Sequence, residues 1–123
     1  MKVQEKFLDL KVMVSDCPVQ HSLKFIGGKW KIGIIWSLKA EKRRFGQLKK
    51  DVLGISEKML IQELKVLEKL GMITKHAYYE IPPRVEYSLT QRGMTLVPVI
   101  EHIVHWGYED MEYGSNFALQ ENI

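Results

Sequence analysis

Few residues in this chain have a type and spacing that could do chemistry. Cys17 is the one cysteine, and it stands immediately before Pro18. The string Ser15-Asp16-Cys17-Pro18 reads as a helix start, because Pro is favoured at the first helical position. A helix N-terminus stabilises a thiolate and lowers the thiol pKa, so an exposed Cys17 would react with oxidants or electrophiles. Asp16 works against this, since one negative charge disfavours a second beside it. The plainer alternative is a small buried side chain that helps to start the helix. With a single cysteine, no internal disulfide framework or multi-cysteine zinc site can form, and any disulfide must join two subunits or capture a small thiol. His102 and His105 lie three residues apart with Glu101 and Glu109 near by, a spacing that could supply metal ligands. Two histidines on an amphipathic helix are more often packed or solvated, so neither a metal nor a cofactor is expected. No Ser/His/Asp set, paired-acid constellation or phosphate-cradling glycine loop is recognisable. Gly27-Gly28-Lys29 lacks the full phosphate-loop spacing and reads as a turn between helices. The chain is not expected to be an enzyme.

A different kind of chemistry is carried by residues 56–70. At about 100° per residue, with Lys58 at zero, Ile61 falls near 300°, Gln62 near 40° and Lys65 near 340°. Leu60, Leu64 and Leu67 fall at about 200°, 240° and 180°, on the opposite face. The leucine face suits a core. The other face offers two cations, one amide and one apolar contact, a set that suits a DNA major groove. Lys can donate to guanine or phosphate, Gln can pair with adenine, and Ile61 could pack on a thymine methyl. Ser56 caps this helix, whose N-terminal N–H groups could hold a phosphate. The competing reading is an amphipathic surface helix with ordinary polar residues outside.

The elements around this helix have to position it. Residues 7–14 alternate loosely, as a short strand or extended arm would. A first helix runs from Pro18 to about Ile26, and a second from Lys29 to about Ala40 with Trp30, Ile34, Ile35 and Leu38 at apolar spacings. Arg43-Arg44-Phe45 is short and extended, and Gly46 to Val52 forms one or two helical turns. Leu53-Gly54-Ile55 is a turn with Gly54 left-handed. The helix capped by Ser56 ends near Leu70 and is closed by Gly71. Ile73 to Glu80 and Arg84 to Leu89 read as two strands joined by Ile81-Pro82-Pro83, where two prolines keep the tip out of the ladder. Thr90 caps a last long helix from Gln91 to about Met111, with Pro98 inside it as a kink. The order is helix, helix, short helix, turn, helix, β-hairpin, helix. A helix-turn-helix followed by a two-stranded ribbon is a winged helix, of mainly α, α+β class. Arg84, beside the proline tip, could reach a phosphate or the minor groove, or else be solvated or paired with Glu86. Arg43, Arg44, Lys49 and Lys50 add charge at the other flank.

Composition is consistent with one soluble domain over residues 1–123, with residues 1–15 as an arm and 114–123 as a flexible tail. The chain is 46% hydrophobic and 27% charged, which supports a packed core and excludes a disordered one. No uncharged apolar stretch approaches a membrane span, and charges at Lys2, Glu5, Lys6, Asp9 and Lys11 leave no secretory signal. A cytoplasmic location is expected. The net charge of +3 is small, but its distribution is not even. Residues 24–92 hold fifteen Lys/Arg against seven Asp/Glu, whereas residues 93–123 hold five acids and no Lys or Arg. A basic middle suggests a polyanion partner, and the bland alternative is an uneven solvated surface.

The last helix is apolar on more than one stripe. Leu96, Ile100 and Ile103 form one, Val97, Val104, Tyr108 and Met111 another, and Trp106 adds bulk. Such a helix needs cover on two sides, which its own domain and a partner subunit could supply. Burial entirely within one domain is the alternative. Two-fold symmetry would then place two half-sites about one DNA turn or more apart.

Several strings, in this order and spacing, resemble the HxlR-type transcriptional regulators, a branch of the MarR-like winged-helix proteins. They are Cys17-Pro18-Val19, Ile26-Gly27-Gly28-Lys29-Trp30, Arg44-Phe45-Gly46-Gln47-Leu48, Gly54-Ile55-Ser56-Glu57-Lys58-Met59-Leu60, Leu64-Lys65-Val66-Leu67-Glu68, Pro82-Pro83-Arg84-Val85-Glu86-Tyr87-Ser88-Leu89-Thr90 and Pro98-Val99. The resemblance covers residues 16–107. It implies a winged helix-turn-helix with N- and C-terminal dimerisation helices, working as a homodimer that binds double-stranded DNA at an inverted-repeat operator. The DNA-contacting set it points to is Arg44, Ser56, Lys58, Ile61, Gln62, Lys65 and Arg84. The dimer interface would hold Leu96, Val99, Ile100, Ile103 and Trp106. Similar regulators often carry Cys at the position of Cys17, and some sense redox or electrophile stress through it, so a small-molecule or oxidant effector is a further partner. The family usually has Thr where this chain has Ile61, which removes a hydroxyl from the groove-facing side and bears on which bases are read. The leading expectation is a repressor. A winged-helix protein-interaction module and a regulator controlled by a non-covalent ligand are the alternatives.

Overall fold

A computed structural model describes residues 17–121, with side chains described as far as Gly114. The expected N-terminal arm over residues 1–15 and the last two residues of the expected tail lie outside the described residues. Helix α1 (Pro18–Ile26) starts at Cys17, whose sulfur accepts from the Gln20 amide at 3.4 Å. Gly27 and Gly28 turn the chain into α2 (Lys31–Leu38), and Gly28 has the positive φ of 83° that a side chain would oppose. A two-residue strand β1 (Arg43–Arg44) leads into α3 (Phe45–Asp51). Gly54, at φ 84°, makes the turn to α4 (Glu57–Lys69). Ser56 caps α4 by accepting from the Met59 amide at 3.1 Å.

Strands β2 (Ile73–Tyr78) and β3 (Arg84–Leu89) form the wing, in antiparallel register from Ile73 opposite Leu89 to Tyr78 opposite Arg84. The expected two-stranded ribbon is in fact a three-stranded antiparallel sheet of order β1-β3-β2. Arg43 pairs with Tyr87 and Arg44 with Glu86. Two residues are too short to show a period of two, so only the pairing reveals β1 as a strand.

Helix α5 spans Gln91–Glu121, passing through Pro98 and well beyond the expected end near Met111. Propagation adds one hydrogen bond for each residue fixed, and the Ala, Leu, Gln and Glu of residues 118–121 are strong helix formers. Gly114 therefore does not end the helix, and the expected flexible tail is helical as far as Glu121.

The core lies where α2, α3, α4 and the start of α5 meet the sheet. Ile34, Ile35, Leu48, Ile55, Leu60, Leu67 and Ile73 are fully buried there, and no polar or charged residue among those described is buried with them. The three leucines expected on one face of α4 are all in this core. No helix among the described residues is long and apolar enough to cross a membrane.

Candidate nucleic-acid interface

The α3–turn–α4 unit is held from three sides. Ile55, in the turn, is anchored in the core. Lys31 on α2 pairs with Glu63 on α4 at 3.0 Å, both side chains largely shielded. The β2 strand packs against α4. These contacts fix the rotation of α4 about its axis and so decide which residues face outward.

Lys58, Ile61, Gln62 and Lys65 all face outward, as the helical angles predict, and Ile61 keeps 41% of its surface exposed. Among the described residues neither lysine has an ion-pair partner and the Gln62 side chain makes no hydrogen bond. The quartet is therefore available to an external partner without first breaking internal contacts. Ser56 is exposed too, with its oxygen engaged in the cap. The α4 start combines that cap with open N–H groups and the positive dipole end, a setting suited to phosphate.

Arg44 is exposed at the start of α3, its own amide donating to the Gln47 side chain at 2.9 Å. Arg43 differs, since it lies near Glu41 at 3.4 Å and Asp51 at 3.6 Å. Asp51 in turn accepts from the Ser37 hydroxyl at 2.6 Å, so Arg43 is tied into the fold while Arg44 is free to reach out. Arg84 is also engaged. Its guanidinium lies 4.0 Å from the Tyr78 ring centre and pairs with Glu80 at 3.1 Å. Of the alternatives for Arg84, the ion pair with Glu86 does not form, because Glu86 faces Lys42 at 3.6 Å. The Tyr78 hydroxyl, aided by Lys42, holds the Glu86 carboxyl below the usual glutamate range. At the wing tip Tyr79 and Ile81 are fully exposed.

Cys17 is 2% exposed. The structure thus matches the plainer alternative of a small buried side chain at the helix start, its sulfur accepting from the Gln20 amide in the α1 cap. Neither His102 nor His105 joins a metal-type cluster. His105 pairs with Glu109 at 3.0 Å, and no group of three or more His, Cys, Asp or Glu able to hold a metal occurs among the described residues.

The apolar stripes of α5 sort differently from their sequence reading. Val97 and Ile100 are buried against the domain, and Val104 is half-buried beside them. Ile100 is therefore corrected from a dimer-interface residue to a core residue. The steps of three and four residues that link Val97, Ile100 and Val104 put all three within about 60° on the helix, facing the sheet and α2. Val99, Ile103, Trp106 and Tyr113 lie about 95° to 175° away and are exposed, Trp106 by 67%. Leu96 sits half-buried at the boundary. On α1, Val19 and Leu23 are exposed as well.

Comparison with known proteins agrees with this architecture. The family model described as HxlR-like helix-turn-helix matches residues 25–115. The chain is 45% identical over 96 residues to YdeP of Bacillus subtilis, an HTH-type transcriptional regulator, covering 76% of this chain and 75% of that one. A solved MarR-family transcriptional regulator from Porphyromonas gingivalis superposes with TM-score 0.76 at 42% identity, covering 89% of this chain and 99% of that one. The oxidised form of the redox regulator HypR superposes with TM-score 0.73 at 38% identity, covering 76% and 96%. These relatives are regulators of transcription, not enzymes.

Proposed function

The chain belongs to the HxlR-like helix-turn-helix family and so is a DNA-binding transcriptional regulator, and from that premise we propose that it is a homodimeric repressor that reads an inverted-repeat operator with α4. The observation that carries this reading is the outward quartet Lys58, Ile61, Gln62 and Lys65, unpaired and set opposite three buried leucines. Gln62 and the two lysines supply base and phosphate contacts, and Ile61 supplies an apolar contact in place of the hydroxyl usual in the family. Ser56 and the α4 N-terminus take a phosphate, and Arg44 takes another at the flank. Arg84 contributes once a phosphate outcompetes Glu80 for its guanidinium. The exposed stripe of Val99, Ile103 and Trp106, with Leu96 at its edge, packs on the same stripe of a second copy.

Selection of genomic fragments by the purified protein, followed by footprinting, tests this. Two protected half-sites related by two-fold symmetry are expected, with affinity falling as salt rises. A protein that selects no fragment at low salt would instead be an interaction module on the same fold.

Thiol control at Cys17 is a second reading, supported by the likeness to a redox regulator. The burial of Cys17 sets its condition: an oxidant reaches the sulfur only after a local opening that exposes it. The product would be a Cys17–Cys17 disulfide between subunits or a mixed disulfide with a small thiol. Diamide treatment of parent and Cys17→Ser protein, followed by gel shift and a non-reducing gel, tests it. Release of DNA by the parent alone supports the switch, and an equal response from both proteins removes it.

A further inference from the structure

The wing ends in an apolar tip. Tyr79, Ile81, Pro82 and Pro83 are all exposed, and only Glu80 among residues 79–83 is charged. Single exposed apolar side chains are ordinary on a folded domain, but a contiguous run of them marks a contact surface. Turn formation accounts for the two prolines and not for Tyr79 and Ile81.

The tip is also held in shape. The Glu80 amide donates to the Tyr78 carbonyl at 3.0 Å, and the two prolines fix their own φ. Arg84 stacks on the Tyr78 ring at 4.0 Å and pairs with Glu80 at 3.1 Å. That pair neutralises the one acid of the tip, so no net negative charge opposes its approach to a polyanion.

The ribbon runs beside the DNA-reading face of α4. It leaves the C-terminal end of α4 through Gly71, and Tyr87, partway along β3, lies close enough to Glu68 for that carboxylate to help raise its phenol, after burial. Two residues nearer the tip, Val85 lines the same groove as Glu57 and Ile61, which belong to the first half of α4. Pro82 lies three residues further on, about 10 Å at the rise of a strand. The tip is thus carried toward the N-terminal end of α4, where Ser56 and Lys58 face outward.

A stiff apolar tip beside a DNA-reading helix has the character of the wedges that architectural proteins drive into the minor groove, where Ile, Leu, Phe, Met or Pro separates a base step. We propose that Ile81 enters the minor groove beside each α4 half-site and pries apart one base step, with Tyr79 against the sugar wall, so that the bound duplex bends at each wing. Unstacking is easiest at pyrimidine–purine steps. The wedge therefore adds sequence preference at a position where no hydrogen bond reads a base. It depends on the proposed reading by α4, because α4 sets where the tip lands.

The duplex recovered by genomic selection, carrying a donor dye at one end and an acceptor at the other, reports bending by energy transfer. The parent should bend it by about 20–90°, and permanganate should oxidise thymines unstacked at the wing positions. Ile81→Ser should bind a nearly straight duplex and lose the permanganate signal, while Ile81→Met keeps both, with circular dichroism confirming each fold. Replacing the flexible step by an A-tract should weaken the parent about tenfold and Ile81→Ser by less than about twofold. A parent that binds without bending, or bending that survives both Ile81→Ser and Tyr79→Ser, overturns the wedge and leaves the α4 reading standing. A changed sedimentation mass in Ile81→Ser with bending intact assigns the tip to a second copy and overturns the wedge as well. A parent that binds no duplex overturns both readings.

Discussion

The Thr90 hydroxyl donates to the Gly71 carbonyl at 2.6 Å and at the same time accepts from the Gly93 amide at 3.0 Å. One side chain thus caps α5 and fastens it to the turn that ends α4. The Thr90 amide adds a bond to the Met72 carbonyl at 3.0 Å, and Gly93 lies so close to that carbonyl that a Cβ there would collide with it. The junction ties the end of α4 to the start of α5.

Thr90→Val keeps the shape of the side chain but loses both hydrogen bonds. Loss of a cap costs about 1 kcal/mol and loss of a partly buried bond about 1 kcal/mol more, so a total of about 2 kcal/mol is expected. Thr90→Ser should retain most of it. Urea unfolding of the three proteins checks this, and equal midpoints for Val and parent would show that the junction is held by packing alone.

DNA affinity should separate the α4 quartet from the wing. Lys65→Ala should weaken binding to every sequence and reduce the slope of log affinity against log salt by about 0.9, the value for one phosphate contact. Gln62→Ala should relax preference at one base pair by about 1–3 kcal/mol. Arg84→Ala should do less than Lys65→Ala, because Glu80 already holds the guanidinium. Glu80→Gln should strengthen binding by releasing it. Fluorescence anisotropy over a salt series reads all four. A larger loss from Arg84→Ala than from Lys65→Ala would mean that the wing, not α4, dominates.

The sequence shows some of these features and hides others for identifiable reasons. The α4 faces are legible because thirteen residues sample the helical period more than three times, and Leu60, Leu64 and Leu67 leave one solution. Glycine signals at Gly54 and Gly71 are legible because both need positive φ. Strand β1 is hidden because two residues carry no period, and its existence depends on Tyr87 and Glu86, more than forty residues away. Ile100 is misassigned because α5 is apolar around much of its circumference, so pattern alone cannot say which stripe its own domain claims. The Arg84 partner is missed because the wing turn brings Glu80 back to it, while its neighbour Glu86 is drawn to Lys42 across the sheet.

The Lys42–Glu86 pair predicts a pH dependence with a definite sign. The Tyr78 hydroxyl first, and Lys42 after it, hold the folded Glu86 carboxyl below the ordinary value of 4.5. In that interval the unfolded chain binds more protons than the folded one, so stability rises with pH. The contribution is complete above the ordinary value and is lost as pH falls through the depressed folded value. Lys42 is raised above 10.5, first by the Tyr78 hydroxyl and then by Glu86, so its share is complete below 10.5 and is lost as pH rises through the folded value. Urea midpoints measured across both flanks should change less steeply in Glu86→Gln and Tyr78→Phe than in the parent. Parallel profiles would mean that the pair is fully screened by solvent.

Two neighbouring isoleucines on α5 should fail in opposite ways. Ile100 is fully buried, so Ile100→Ala leaves a cavity and should cost about 2–5 kcal/mol of stability in each chain. Ile103 is 40% exposed on the stripe with Val99 and Trp106, so Ile103→Asp should leave the fold of each chain intact and place a charge in the proposed dimer contact. Sedimentation equilibrium should report a halved mass for Ile103→Asp with unchanged helical circular dichroism. Its affinity for a two-half-site operator should fall steeply, because each half-site is then bound separately, while affinity for an isolated half-site should match the parent monomer. Full dimer mass in Ile103→Asp and in a Trp106→Asp companion would move the interface off this stripe, with exposed Val19 and Leu23 on α1 the next surface to change.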